Sequence, residues 1–414
     1  MYQIRNLSNG IRVISEKIGH VRSISIGVWV GNGSRYENKA VGGISHYIEH
    51  MLFKGTSKRS AYKIAWDMDS VGGVINAFTG REETCFYTQT LDTHANLAID
   101  ILSDMLQNSL MSDELINLER QVILEEMNMY NDDPEEVVHD LIMEACWGDS
   151  ALGKPVLGTS ATLENINSDI MHKYLHEHYT TGNIVIAVSG NFDDGLFDEL
   201  EKKFGNGNFM HGKVDMPKAE YHANTIVQTR DIGQVQIIAG FKGLDTHSDD
   251  IYSMLAVNNI FGNGMSSRLF QNIREKTGLV YSVYSNGLTY TGTGMFGISA
   301  GTSADNLEQV CRMITDEVKT LKRDKLTKNE LDMVKEQLKG TYILSRESTG
   351  ARMQSAGRNL LLGKKLYTED EVLARIDNIS LQSTADVIDK VFDTSTLSVA
   401  AVGAIDSADN LFDF

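Results

Sequence analysis

The chain has 414 residues, 42% hydrophobic and 23% charged, with 56 Asp+Glu against 38 Lys+Arg for a net charge of −18. This composition excludes a disordered or low-complexity chain, the length exceeds one small module, and the acidic balance argues against nucleic acid as a partner while suiting basic peptides. The opening run MYQIRNLSNGIRVISEK has no apolar core behind a basic head, no segment approaches 18 consecutive apolar residues, and Cys85, Cys146 and Cys311 are few and far apart, so the expectation is a cytoplasmic protein without leader, membrane insertion or disulfides.

The first strong strand pattern is ISIGVWVG at 24–31, apolar around a central glycine. It is followed at 41–56 by VGGISHYIEHMLFKGT, where a glycine pair leads into a helical pattern that Lys54 and Gly55 close. Ile44, Ile48, Met51 and Leu52 form one aliphatic stripe, and His46, Glu49 and His50 project from the other side. Two imidazoles at i and i+4 can bind one Zn²⁺, and a glutamate at i+3 then stands beside the metal where a water would sit. A chance H-x-x-E-H is expected about 0.02 times in a chain of this composition, so coincidence is a poor account of it.

The segment GGVINAFTG at 72–80 reads as a strand ending in the turn Thr79-Gly80-Arg81. At 112–130, SDELINLERQVILEEMNMY opens with a serine cap and continues as a long amphipathic helix. Glu119 and Glu126 are two turns apart on one face, with Glu125 rotated by about 100°; any third metal ligand from this helix therefore depends on which face meets the histidines. A closing strand follows at 183–193, NIVIAVSGNFD, then the polar stretch 205–220 with Pro217.

The second half repeats the first. VQIIAGFKG at 235–243 and TLSVAAVGAID at 396–406 match the strands at 24–31 and 183–193, with Gly27 to Gly240 and Gly190 to Gly403 both separated by 213 residues. The expected fold is therefore α+β, with two homologous domains at 1–208 and 223–414 joined by a linker at 209–222, each a mostly antiparallel sheet packed with helices and the two forming a clamshell. The same offset sends His46 to Asn259, Glu49 to Gly262, His50 to Asn263 and Glu126 to Lys339, so the second half cannot repeat the metal site. Its FGNGMSSRLF run lacks the lysine of a phosphate-binding loop and reads as a turn.

The segments HYIEHMLFKGT, LERQVILEEMNMY and DDPEEVVHD, with the duplicated strands around them, resemble the inverzincin peptidases of the pitrilysin, insulinase and mitochondrial processing peptidase family, in its short bacterial branch, over essentially the whole chain. The resemblance implies that the third ligand lies 76 residues beyond the second histidine, at Glu126, and that Glu119 orients the site. It implies one Zn²⁺ per chain held by His46, His50 and Glu126, a metal-activated water as nucleophile, and Glu49 as the general base that later protonates the leaving amine. The zinc chemistry alone would equally serve an esterase or amidohydrolase; peptide hydrolysis is what the resemblance selects.

The same resemblance places Asn76, Ala77 and Phe78 on an edge strand that pairs with substrate. It also makes Arg274 and Tyr281 substrate contacts, reaching an interdomain chamber and the oxygen that becomes negative during attack. A peptide or unfolded segment is the implied substrate and a homodimer the implied assembly, with an unlike partner subunit as the other possibility. The alternative is a catalytically inactive or weakly active partner subunit, since such members exist in the family; they degenerate at the ligand positions that are intact here.

Overall fold

The computed structural model describes residues 2–414. They build two compact units, each around one sheet. The first sheet has the order β1 (Gln3–Asn6), β2 (Arg12–Lys17), β6 (Ile184–Gly190), β3 (Ser23–Val30), β5 (Thr84–Leu91), β4 (Val74–Thr79). The second has the order β7 (Thr225–Thr229), β11 (Ser398–Gly403), β8 (Val235–Lys242), β10 (Thr293–Thr302), β9 (Val280–Tyr290). With β1 set aside, the two orders correspond strand for strand. Each has one parallel pair among the described residues, β2–β6 and β7–β11, and is otherwise antiparallel. The expected pair of homologous α+β domains is what the chain forms.

Strands β3 and β6 are apolar on both faces because both faces are covered. On one side Ile24, Ile26 and Val28 join a core with the helices α1 (Ile44–Leu52), α2 (Ala61–Asp69), α3 (Ala95–Asn108) and α4 (Asp113–Asp132). On the other, Trp29, Val185 and Ala187 meet Met353 and Ala356 from the helix Thr349–Leu361. That helix comes from the second half of the sequence. In return α5 (Pro134–Trp147), started by Pro134 and capped by Asp133, sends Val138, Ile142 and Met143 onto Ile238, Ala400 and Val402 of the second sheet.

The compact units therefore differ from the halves read along the sequence. The first comprises 1–127, 155–217 and 343–368, and the second 128–154, 218–342 and 369–414. Two helices at corresponding positions of the repeat are exchanged, each covering one face of the other half's sheet. The central glycines of the duplicated strands have their reason here. A Cβ on Gly27 would lie 2.3 Å from Met353 Sδ, and one on Gly240 would lie 3.3 Å from Ile142 Cδ1, so each glycine leaves room for the incoming helix. Buried charge secures the exchange in the first unit: Arg346 Nη2 donates to both oxygens of Glu16 at 2.6 and 2.7 Å, and Arg352 Nη1 adds a third bond at 2.8 Å. Residues 206–224 carry neither helix nor strand. Among the described residues no helix is long and apolar enough to cross a membrane.

Candidate metal centre

Helix α1 starts at Gly43, whose φ of +90° makes a sharp entry, and its first turn is held by a carboxylate from outside the helix. Glu37 Oε2 accepts from Gly43 N at 2.6 Å and Oε1 from Ser45 N at 2.8 Å, so a buried carboxyl group satisfies amide groups that a helix start leaves open. Burial raises this carboxyl to about 7 against the pull of those hydrogen bonds. Ser45 Oγ in turn lies 3.2 Å from Tyr174 OH and 3.1 Å from Asn32 Nδ2. The start of α1 is thereby fixed in the core before its functional side chains emerge.

His46, His50 and Glu126 converge, with one ligand atom from each lying within 4.8 Å of the others. His46 Nε2 is 3.8 Å and His50 Nε2 3.5 Å from the same Glu126 oxygen. These separations exceed hydrogen-bond length and approach the roughly 3.3 Å between ligands set 2.0–2.1 Å from a tetrahedral ion. His50 Nδ1 is bonded to Glu119 Oε1 at 2.8 Å, which fixes the ring so that Nε2 faces Glu126. Glu119 is buried and receives Lys54 Nζ on its second oxygen at 2.5 Å. Burial lowers His46 to about 3, with His50 adding to the effect, so its imidazole is neutral near pH 7, the state that ligates. Its Nδ1 is buried without a hydrogen-bond partner among the described residues. Two imidazole nitrogens, one on a ring anchored by Glu119, and one carboxylate make a donor set that fits Zn²⁺.

Glu49 stands beside this cluster on α1. Its Oε2 accepts from Thr79 Oγ1 at 2.5 Å, which ties it to the last residue of β4. Burial raises its carboxyl above the ordinary value, opposed by the Thr79 hydrogen bond and by His50, with Glu126 adding to the rise. A carboxylate with a raised value beside a metal cluster has the profile of a general base.

Strand β4 is the outer strand of its sheet, as addition of a substrate strand requires. Its residues divide between the faces. Ala77 packs toward the core that includes α1, whereas Phe78 meets Trp29 edge-on at 5.5 Å on the opposite face, and the exposed Asn76 turns its Oδ1 onto the backbone N–H of Ala77 at 2.8 Å. Gly73 is small because its Cβ would strike Met68 and Thr90, a local packing reason unconnected with substrate. Arg274 and Tyr281 belong to the second unit. The guanidinium of Arg274 lies 4.7 Å over the Phe270 ring, and Tyr281 is 77% exposed. Sequence reasoning missed Glu37 and Thr79 as holders of this site, and read Lys54 only as part of a helix stop. Each acts across a gap in sequence that no local spacing reveals.

Residues 12–160 match the model of the insulinase family, peptidase family M16, and residues 165–338 that of the M16 inactive domain. The chain belongs to the insulinase family. Its similarity to the zinc protease YmxG of Bacillus subtilis is 42% identity over 384 residues, 93% of this chain and 94% of that one. A zinc protease of Rickettsia felis is 35% identical over 408 residues, 98% of each chain. Among solved structures, a protease from Helicobacter pylori shares the fold at a TM-score of 0.91 and 20% identity, covering 97% of this chain and 99% of its own. The M16 inactive domain structure from Pseudomonas fluorescens does so at 0.89 and 18%, covering 98% and 99%. The family resemblance read from the motif at 46–50 is thus borne out, and the matched segments assign the metal cluster to the insulinase part and Arg274 and Tyr281 to the inactive part.

Proposed function

We propose that the protein is a zinc endopeptidase that cuts peptides or unfolded protein segments, with one ion per chain held by His46, His50 and Glu126. The observation that carries this reading is the convergence of those three ligand atoms within 4.8 Å, with Glu49 fixed beside them by Thr79. When bound there, zinc would supply Lewis acidity and would lower the pKa of water toward neutral pH. Glu49 accepts the proton of the attacking water on its carboxylate and returns it to the nitrogen of the departing amine. Glu119 keeps the ring of His50 turned toward the site. The free edge of β4 binds an extended backbone, which suits unfolded chains and leaves side-chain choice broad. Arg274 and Tyr281 serve as substrate contacts from the inactive part, and the exposure of Tyr281 supports this.

The test combines metal analysis with cleavage of a mixed peptide library by the wild type and by Glu49→Gln. About one zinc per chain in both, with cleavage reduced by about 10²–10⁴-fold in the variant, is the expected outcome. Zinc in both proteins with cleavage in neither would favour an inactive, peptide-binding family member. Absence of zinc from the wild type would overturn the ligand assignment.

A further inference from the structure

Besides the approach of both histidines to Glu126, three polar side-chain contacts join α1 and the residues just past its end to α4. Tyr47 OH bonds the carbonyl of Ile116, His50 bonds one oxygen of Glu119, and Lys54 bonds the other. The third contact lies outside the ligand set and the proton path. Lys54 follows the C-terminal cap of α1, where its backbone N–H bonds Met51 O at 3.1 Å, and an ammonium there also suits the negative end of the helix. Its Nζ reaches Glu119 Oε2 at 2.5 Å, and Glu119 is only 3% exposed.

A buried carboxylate with a single partner can rotate about its terminal torsion, which is broad for glutamate. With both oxygens engaged, one by Lys54 and one by His50, the plane is fixed, and Oε1 stays in line with Nδ1 of the ring. We propose that Lys54 is a positioning residue of the metal centre, holding Glu119 so that His50 presents Nε2 toward Glu126 and the ion. The inference rests on the ligand assignment made above and deepens it, because it makes metal affinity depend on a lysine that touches neither metal nor substrate.

The experiment measures the zinc dissociation constant by competition with a chromophoric chelator, for wild type, Lys54→Met, Glu119→Gln and the double variant, with the melting temperature of each metal-free protein recorded. Loss of the bond to Glu119 in Lys54→Met should weaken zinc binding by about 10–100-fold, the range seen when groups that orient a ligand are removed. In the Glu119→Gln background the same lysine change should have almost no further effect, because its route to the metal is already cut. Lys54→Arg, which keeps a charged donor, should recover most of the affinity and provides the comparison if Lys54→Met folds poorly.

Wild-type affinity in Lys54→Met overturns the proposal. So does an equal loss in the two backgrounds, which would mean that the lysine acts only on the general stability of α1. Either result leaves the ligand reading standing, provided the wild type binds zinc and His50→Ala does not. A wild type that binds no zinc removes both.

Discussion

The first helix of the insulinase unit and its counterpart in the inactive unit occupy matching places in two sheets of matching order, yet their chemistry has nothing in common. In the first unit α1 continues through His46, Glu49 and His50, all drawn toward Glu126 on α4 or Thr79 on β4. In the second, the helix Ile251–Phe261 stops before the corresponding triplet is complete, and Gly262 caps it where Glu49 would stand. Asn259 and Asn263 take the places of the histidines. Lys339, in the place of Glu126, is engaged with Asp377 at 3.0 Å and Glu336 at 2.6 Å. The helix starts differ as well: Glu37 is a buried acceptor for α1, whereas Asp250, at the corresponding position, stands at the N-cap of its helix without a side-chain bond to it and pairs with Lys390 at 3.2 Å. The scaffold survives duplication because strand order and packing are set by many apolar residues. A metal centre depends on four or five polar ones, and it is lost when those are exchanged for groups that find ordinary surface partners.

The strongest way to break this comparison is to import the second unit's residues into the first. His46→Asn or His50→Asn should abolish zinc binding and lower cleavage on the order of a thousandfold or more. The metal-free fold should persist, since the second unit folds with asparagine at both places. Metal analysis, peptide cleavage and a thermal melt of each variant check this, and full zinc occupancy in either variant would contradict the ligand set. The reverse transfer, Asn259→His with Gly262→Glu and Asn263→His, should still bind no zinc, because Lys339 presents an ammonium where a carboxylate is needed.

A smaller effect should separate the two helix starts. The folded value of Glu37 is raised from 4.5 to about 7, so the fold favours its protonated form. The stabilising contribution is therefore complete below pH 4.5 and is lost as pH rises through about 7, a total of about 3 kcal/mol. Urea unfolding at pH 5 and pH 8 should show wild type losing up to that amount relative to Glu37→Gln, which carries no charge at either pH. Asp250→Asn should change stability by less than about 0.5 kcal/mol at both. A pH-independent difference between wild type and Glu37→Gln would mean that the carboxylate is solvated, contrary to its burial.

How much of this was legible in the sequence follows the reach of each interaction. His46, Glu49 and His50 are one helical turn apart, so spacing alone disclosed them; Glu119 and Glu126 were seen to share a face, but their meeting with α1 is tertiary and came from the family resemblance. Glu37 bonds amides six and eight residues on through an irregular turn, and Thr79 reaches Glu49 across 30 residues, so neither leaves a periodic trace. The exchange of α5 and the helix Thr349–Leu361 was hidden for a related reason. An amphipathic pattern shows that a helix has an apolar face to cover, but not which of two nearly equivalent sheets will receive it. Gly27 and Gly240 marked the repeat clearly, yet what they make room for becomes visible only in the packed structure.

That packing gives the smallest and most discriminating contrast. In the first unit the exchanged helix approaches so closely that a Cβ on Gly357 would lie 2.2 Å from Trp29 Nε1 and 2.4 Å from Cδ1, atoms of a ring that is 1% exposed and has nowhere to move. Gly357→Ala should therefore cost about 1–3 kcal/mol. In the second unit a Cβ on Gly240 would meet Met295 Sδ at 3.0 Å and Ile142 side-chain atoms at 3.3 Å, flexible ends that can give way, so Gly240→Ala should cost less than about 1 kcal/mol. Chemical denaturation of both variants checks the order. Because the Trp29 face of the sheet is opposite the face that carries α1, Gly357→Ala should also leave zinc affinity unchanged while lowering stability. A loss of zinc affinity in that variant would mean that strain passes through β3 to the metal helix, and that the two faces of the first sheet are mechanically coupled.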